Sequence, residues 1–244
     1  MRTPSRTIPA IAAIVLSGGL MVAGCTGDAG RNAVWTGPAF SAELVDLQHP
    51  DKAPTRIFLS AGRIRLETQD SSSPLGALVL DPAHGTTLLI NQANRSYIDA
   101  GMFSSVAAAS FAPLLKFFRP ASSGDPCTGW NSTVGQYSVF IKQRKSEQPP
   151  HFTCRSLGAE SVGGRPAQKW AVTTDASPPD AGMVWIDDRL HIVSRSKDQD
   201  GGMEMRNVRE APQPDSLFAA PADYRKLSAA SIMGDLLKGS DTKR

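Results

Sequence analysis

The chain has 244 residues, with 26 Lys and Arg against 23 Asp and Glu and a formal net charge of +3. Two of those cations, Arg2 and Arg6, lie in the first 24 residues, so the remainder carries only +1. A chain that close to neutral has no electrostatic footprint for nucleic acid, and its length suits one domain with room for an irregular insertion.

Residues 1–24 have the three zones of an export leader. Arg2 and Arg6 form the basic start, Ile8 to Val22 the apolar middle, and Gly18-Gly19 soften a stretch already too short to span a bilayer, which needs about 20 apolar residues. The leader ends in Val22-Ala23-Gly24-Cys25. Small residues before a cysteine let the chain thread a narrow protease cleft, and the thiol can accept a diacylglyceryl group. The tetrad resembles the lipobox read by lipoprotein signal peptidase. Charge, length and tetrad agree on that reading over an ordinary leader with a chance cysteine or an uncleaved anchor. Cleavage after Gly24 leaves Cys25 lipidated. Each buried methylene of its palmitate-type chains adds roughly 0.8 kcal/mol of membrane affinity, so two or three chains anchor effectively permanently. Thr26 follows where an aspartate would retain such a protein at the inner membrane, so the expected location is the outer membrane, facing the periplasm.

Residues 25–33 are small and polar, a flexible tether. From residue 34 to 238 the pattern is that of one β-rich domain. Phe40 to Val45 and Arg56 to Leu59 read as strands, and Gly62 opens the cleanest alternation in the chain. Arg63, Arg65 and Glu67 face one way and Ile64 and Leu66 the other, which predicts a sheet wet on one face. Gly76–Asp81 and Thr86–Asn91 flank a turn and predict a hairpin, with Arg95–Asp99 a short strand. Met102 to Phe118 switches to helical spacing, broken at Pro113, and is apolar enough to need cover against the sheet.

Residues 119–154 are an irregular Pro/Ser-rich excursion that holds one further strand candidate, Tyr137–Ile141. With Cys25 taken by lipid, Cys127 and Cys154 remain as a pair in an oxidising compartment. A disulfide there closes a loop worth roughly 3–4 kcal/mol. The other readings are two free buried thiols or a metal pair, and a metal is disfavoured because only His151 lies nearby. Past the excursion, Gly163-Gly164 offers a turn into Ala167–Thr174. Met183–Asp187 and Leu190–Arg195 read as a hairpin through Asp187-Asp188, followed by a strand over Met203–Val208. Leu217-Phe218 and Pro221–Tyr224 form an extended return to the core. A helix over Ser228–Lys238 and a disordered tail at 239–244 complete the chain.

The run from Leu157 to Trp170, with Cys154 just upstream, resembles a stretch of an uncharacterised bacterial envelope lipoprotein family. Val184-Trp185-Ile186-Asp187, Leu217-Phe218, Phe40-Ser41-Ala42-Glu43 and Gly62–Glu67 match its pattern in order. That family looks like a branch of the lipoprotein-carrier superfamily that includes LolA and LolB. The resemblance implies a mainly β fold with α: a curved antiparallel sheet forming an incomplete barrel, covered by one or two helices, with an apolar cavity between. None of the carriers' functional residues maps onto a motif here, so activity is implied only at the level of fold.

Catalytic chemistry finds little footing. His49, His84, His151 and His191 show no metal-binding spacing, and no Gly-x-Ser-x-Gly elbow occurs. Asp187 and Asp188 sit in a turn, where aspartates bond their own backbone. Arg63, Arg65, Arg189 and Arg195 are explained by a wet sheet face. The expectation is a non-enzymatic lipoprotein, without cofactor or metal, that binds an acyl chain or other apolar ligand, in lipid or lipoprotein trafficking. Ile64, Leu66, Leu78, Leu80, Leu88, Ile90, Trp170, Val172, Met183 and Trp185 are expected on one side of their strands, with Phe111 from the helical segment, as the cavity lining. The alternative is a structural or protein-interaction lipoprotein with a filled core and an envelope protein partner.

Overall fold

The computed structural model describes residues 37–68, 76–81, 84–101, 124–132, 151–175, 181–199 and 201–228. Outside them lie the expected leader with Val22, Ala23 and Gly24, Cys25 and the expected tether, the segment 102–118 expected to be helical with Phe111, the candidate strand Tyr137–Ile141, and the residues from 229 onward, with all but the first residue of the expected helix Ser228–Lys238 and the expected tail.

Twelve strands make one sheet: β1 (Phe40–Asp46), β2 (Thr55–Ser60), β3 (Arg63–Glu67), β4 (Ala77–Asp81), β5 (Thr86–Asn91), β6 (Ser96–Asp99), β7 (Phe152–Val162), β8 (Arg165–Thr174), β9 (Ala181–Asp187), β10 (Val193–Asp198), β11 (Gly202–Glu210) and β12 (Arg225–Leu227). One helix among the described residues, α1, spans 126–132. The spatial order is β12-β6-β5-β4-β3-β2-β1-β11-β10-β9-β8-β7. Two meanders thus meet where β1 pairs with β2 on one side and β11 on the other. The ends of the sheet, β12 and β7, do not pair, so the sheet is not closed, consistent with the incomplete barrel that the resemblance implies. The tight hairpins place two consecutive residues at positive φ: Ala61 and Gly62 at +47° and +79°, and Gly163 and Gly164 at +57° and +79°; the glycines adopt it freely, whereas Ala61 does so against its Cβ. Two consecutive positive-φ residues match the right-handed twist of the flanking strands.

Register assigns the side chains to two faces, because directly opposed residues point the same way. One face, here the Ile64 face, carries Ile57, Leu59, Ile64, Leu66, Leu78 and Leu80 across β2–β4. Phe40, Ala42, Ile57, Leu59, Ile64 and Met205 pack there with Leu190 and Ile192 from the β9–β10 loop. The opposite, Arg65 face carries Phe58, Arg65, Val79, Leu88 and Ile90. There Val79, Leu88 and Ile90 pack against Phe218, with Leu217 and Tyr224 beside them.

Four expectations are corrected. The Arg65 face is not wet at β3: Arg65 and Glu67 are only 7% and 9% exposed, because the 3-10 turn Asp215–Phe218 and the chain after it lie across them. Arg65 donates to the Leu217 carbonyl at 2.8 Å and to the Glu67 carboxylate. Arg63 pairs with Asp215 at 2.7 Å and lies over the Phe218 ring at 4.5 Å. The return to the core is therefore real but begins as a 3-10 turn, not as extended chain. The sheet is mixed, since β12 runs parallel to β6. Finally, Leu190–Ile192 is loop instead of strand, with His191 at φ +53°. Leu190 and Ile192 both plug the core, which reads in sequence like strand alternation.

Candidate functional site

The wing β7–β10 carries the features most suited to binding. Helix α1 begins with Asp125 capping the Cys127 N–H at 2.9 Å and Pro126 at the first helical position, where its missing N–H costs nothing. Three contacts pin α1 to the start of β7. Cys127 and Cys154 form the disulfide, with a Cα–Cα distance of 5.7 Å. The Trp130 and Phe152 rings lie 5.8 Å apart. The Asn131 side chain donates to the Phe152 carbonyl at 2.8 Å and accepts its N–H at 2.7 Å. The Cys127–Cys154 pairing expected from cysteine arithmetic is present, and it anchors a helix that the irregular sequence did not announce.

Next to this anchor, Phe152, Val172, Met183 and Val184 line an open groove of about 180 Å³ with Thr174, Ser196, Lys197 and Asp198. Gly182 belongs to it because β9 and β10 approach closely there: a Cβ would sit 3.0 Å from the Lys197 carbonyl. Trp170 and Val172 share the Ile64 face with Val184 and Ser196, and both are only partly buried. The groove is smaller than the 300–1,000 Å³ usual for whole small-molecule sites. It fits the end of a chain or a single side chain.

The other side of the same wing is charged. Trp185, 3% exposed, lies between the Lys169 ammonium and the Arg195 guanidinium, at 4.9 and 5.2 Å from its ring centre. Arg195 pairs with Glu204 and Lys169 with Glu160, at 2.8 and 2.9 Å. Lys169 holds the Glu160 carboxyl below its ordinary range, while the buried Trp185 indole N–H makes no hydrogen bond. At the root of the wing Asp187 is 1% exposed. Burial pushes its carboxyl up, but Arg165 and the N–H groups of Leu190 and Arg189 more than offset this and hold it below the ordinary range. The backbone bonds, at 2.8 and 2.9 Å, fold the β9–β10 loop. Its role is the turn-forming one expected of it.

The cavity candidates do not share one side. Ile64, Leu66, Leu78, Leu80, Trp170 and Val172 lie on the Ile64 face; Leu88, Ile90, Met183 and Trp185 lie on the other. Period two predicts which residues of one strand share a face but not how adjacent strands are phased. Ile64 and Leu66 pack into one core cluster, Leu88 and Ile90 into a second, and Trp185 and Met183 into a third with Val162 and Ala167. Of the candidates, Val172 and Met183 line the groove. Phe152 and Val184 were missed; Val184 was legible only as part of a strand, and Phe152 sits in a strand with no apolar alternation. The histidine–carboxylate contacts are local: His49 with Asp46 and His84 with Asp81, each three residues apart.

No protein-family model matches the chain, and no curated protein matches it. Among solved structures it is similar to MucB in the Pseudomonas aeruginosa MucA/MucB complex, with a TM-score of 0.45 and 18% identity over 83% of this chain and 61% of that one. It is also similar to an uncharacterized conserved protein from Thermus thermophilus (TM-score 0.43, 11% identity, 82% and 96% of the two chains). A third is the Mycobacterium tuberculosis lipoprotein LppX (0.37, 11%, 76% and 92%). The chain spans less than two thirds of the length of MucB.

Proposed function

We propose that this chain is a lipid-anchored binding protein of the bacterial envelope that takes the end of an acyl chain, or another apolar group, into the groove beside α1 without covalent chemistry. The observation that carries the reading is the groove itself, an open apolar site on a wing whose neighbouring helix is locked in place by a disulfide. Partly exposed Trp170 extends the apolar surface on the same face. Transfer of an apolar chain from water contributes roughly 0.8 kcal/mol per buried methylene, enough for reversible binding by a short segment. The same chemistry serves the trafficking of a lipid or a lipidated protein.

The test is mass spectrometry of an organic extract from protein carrying Cys25→Ser behind a replacement leader, purified from the periplasm without detergent. Lipid near one equivalent, reduced at least tenfold by Val184→Asp, supports the reading. An extract matching that of an unrelated periplasmic protein refutes it. A second reading, a protein-interaction lipoprotein, is favoured by the filled clusters that absorb Ile64, Leu66, Leu88, Ile90 and Trp185. In that case the groove holds a partner's side chain, and a Val184→Asp protein loses a co-purifying protein while its lipid content is unchanged.

A further inference from the structure

β7 ends the sheet, and among the described residues no strand lies beyond it. It is 11 residues long, and Arg155 to Ser161 are exposed throughout. Such an edge is a template for a further strand, and natural edges are commonly blunted with Lys, Pro or a bulge. β7 contains neither Lys nor Pro. It does contain a bulge, where its pairing with β8 shifts between Ser156 and Gly158.

That bulge has a consequence for charge. Arg155 and Glu160 stand at equal distances from the Leu157–Gly158 bond. In a regular strand their odd spacing would put them on opposite faces. The extra residue brings them to the same one: Arg155 opposes Ala171 and Glu160 opposes Ala167, four residues apart on β8. Leu157, inside the bulge, is 39% exposed and is the one exposed large hydrophobic among the described residues. Glu160 pairs with Lys169, whereas Arg155 makes no ion pair among the described residues.

We infer that a second copy of this chain docks on β7, the two strands running antiparallel about a two-fold axis at Leu157–Gly158. The edge is self-complementary in that register. Arg155 faces Glu160 of the partner subunit, and the symmetry makes the pair twice. Ser156 faces Ala159 of the partner subunit and Cys154 faces Ser161 of the partner subunit, so no like charges and no large side chains collide. The two Leu157 side chains meet at the axis and leave water. Eleven residues a side make less than a standard interface. The association is therefore weak in dilute solution and strong where lipid anchors confine both copies to one membrane, which raises their effective concentration. It does not depend on what the groove binds.

The full chain with its own leader, carrying Arg155→Cys and Glu160→Cys, tests this in isolated membranes by non-reducing electrophoresis. Directly opposed positions come within disulfide reach. We expect a reducible species of twice the monomer mass, at least fivefold more abundant than in either single variant. It should be equally scarce in Arg155→Cys/Ser161→Cys, whose thiols fall on opposite faces. Equal cross-linking in all four, or none, overturns the inference. Charge swapping gives a cysteine-free check by sedimentation of the anchored protein: Arg155→Glu should dissociate the dimer and Arg155→Glu/Glu160→Arg restore it. A photo-reactive residue at Leu157 that captures a different protein in place of a second copy also overturns it.

Discussion

Replacing Arg65 with methionine tests the claim that the Arg65 face is closed by the returning chain at 214–224. Arg65 is 7% exposed. It holds Glu67 through Nε at 2.8 Å and through a second guanidinium nitrogen, and it donates to the Leu217 carbonyl at 2.8 Å. Methionine keeps the packing volume but leaves Glu67 with only Arg56, at 3.4 Å and 43% exposed, and leaves the Leu217 carbonyl without its donor. Removing one partner from a buried charge pair costs about 3–5 kcal/mol. Taking the lower end, and a urea slope of about 2 kcal/mol/M, the unfolding midpoint should fall by about 1.5 M. The double variant Arg65→Met/Glu67→Leu removes both charges and should regain more than half of the loss, since apolar replacement of a whole buried pair is often neutral. Urea unfolding followed by tryptophan fluorescence reads both. A single variant within about 0.3 M of wild type would place the pair among surface ion pairs, which contribute about 0–1 kcal/mol, and would refute a buried latch.

Three further outcomes are expected. Asp187→Asn should cost about 3 kcal/mol at neutral pH by leaving Arg165 short of its partner. Because the folded-state pKa of Asp187 is depressed, its stabilisation is present above the ordinary value of about 3.9 and is lost as pH falls through the folded one. Wild-type Tm, followed by circular dichroism, should therefore drop between pH 5 and pH 2 more steeply than that of the variant. Cys127→Ser/Cys154→Ser opens a link between residues 27 apart, worth about 3.5 kcal/mol in the chain-entropy model; a urea midpoint unchanged from the oxidised wild type would contradict this. Cys25→Ser should move the protein from the detergent phase to the aqueous phase in a cloud-point partition, and retention in the detergent phase would point to another anchor.

Local signals were sufficient for much of this chain. Alternation over Phe40–Val45 and Gly62–Glu67 and turn chemistry at Gly163-Gly164 yielded strands and hairpins, because each depends on residues near in sequence; the disulfide between residues 27 apart followed from counting, since setting Cys25 aside for the expected lipid leaves one pair. β7 escaped because an edge strand exposed on both sides has no apolar face to alternate, so its first residues fell in the irregular 119–154 excursion and residues 155–160 carried no strand signal. Phasing across strands escaped for a different reason. Whether Leu88 joins Ile64 or opposes it is decided by which residues pair across β3, β4 and β5, and hydrophobic periodicity within one strand carries no record of that. The fate of Arg65 shows the same limit. An alternating charge reads as a solvated face until a segment some 150 residues later lies over it, supplies Leu217 and Phe218, and converts a surface arginine into a buried latch. Composition and spacing thus determined that a mainly β domain with a disulfide should form. Only long-range packing decided which faces are buried and where an open groove remains, since burial belongs to pairs of distant segments and not to either one alone.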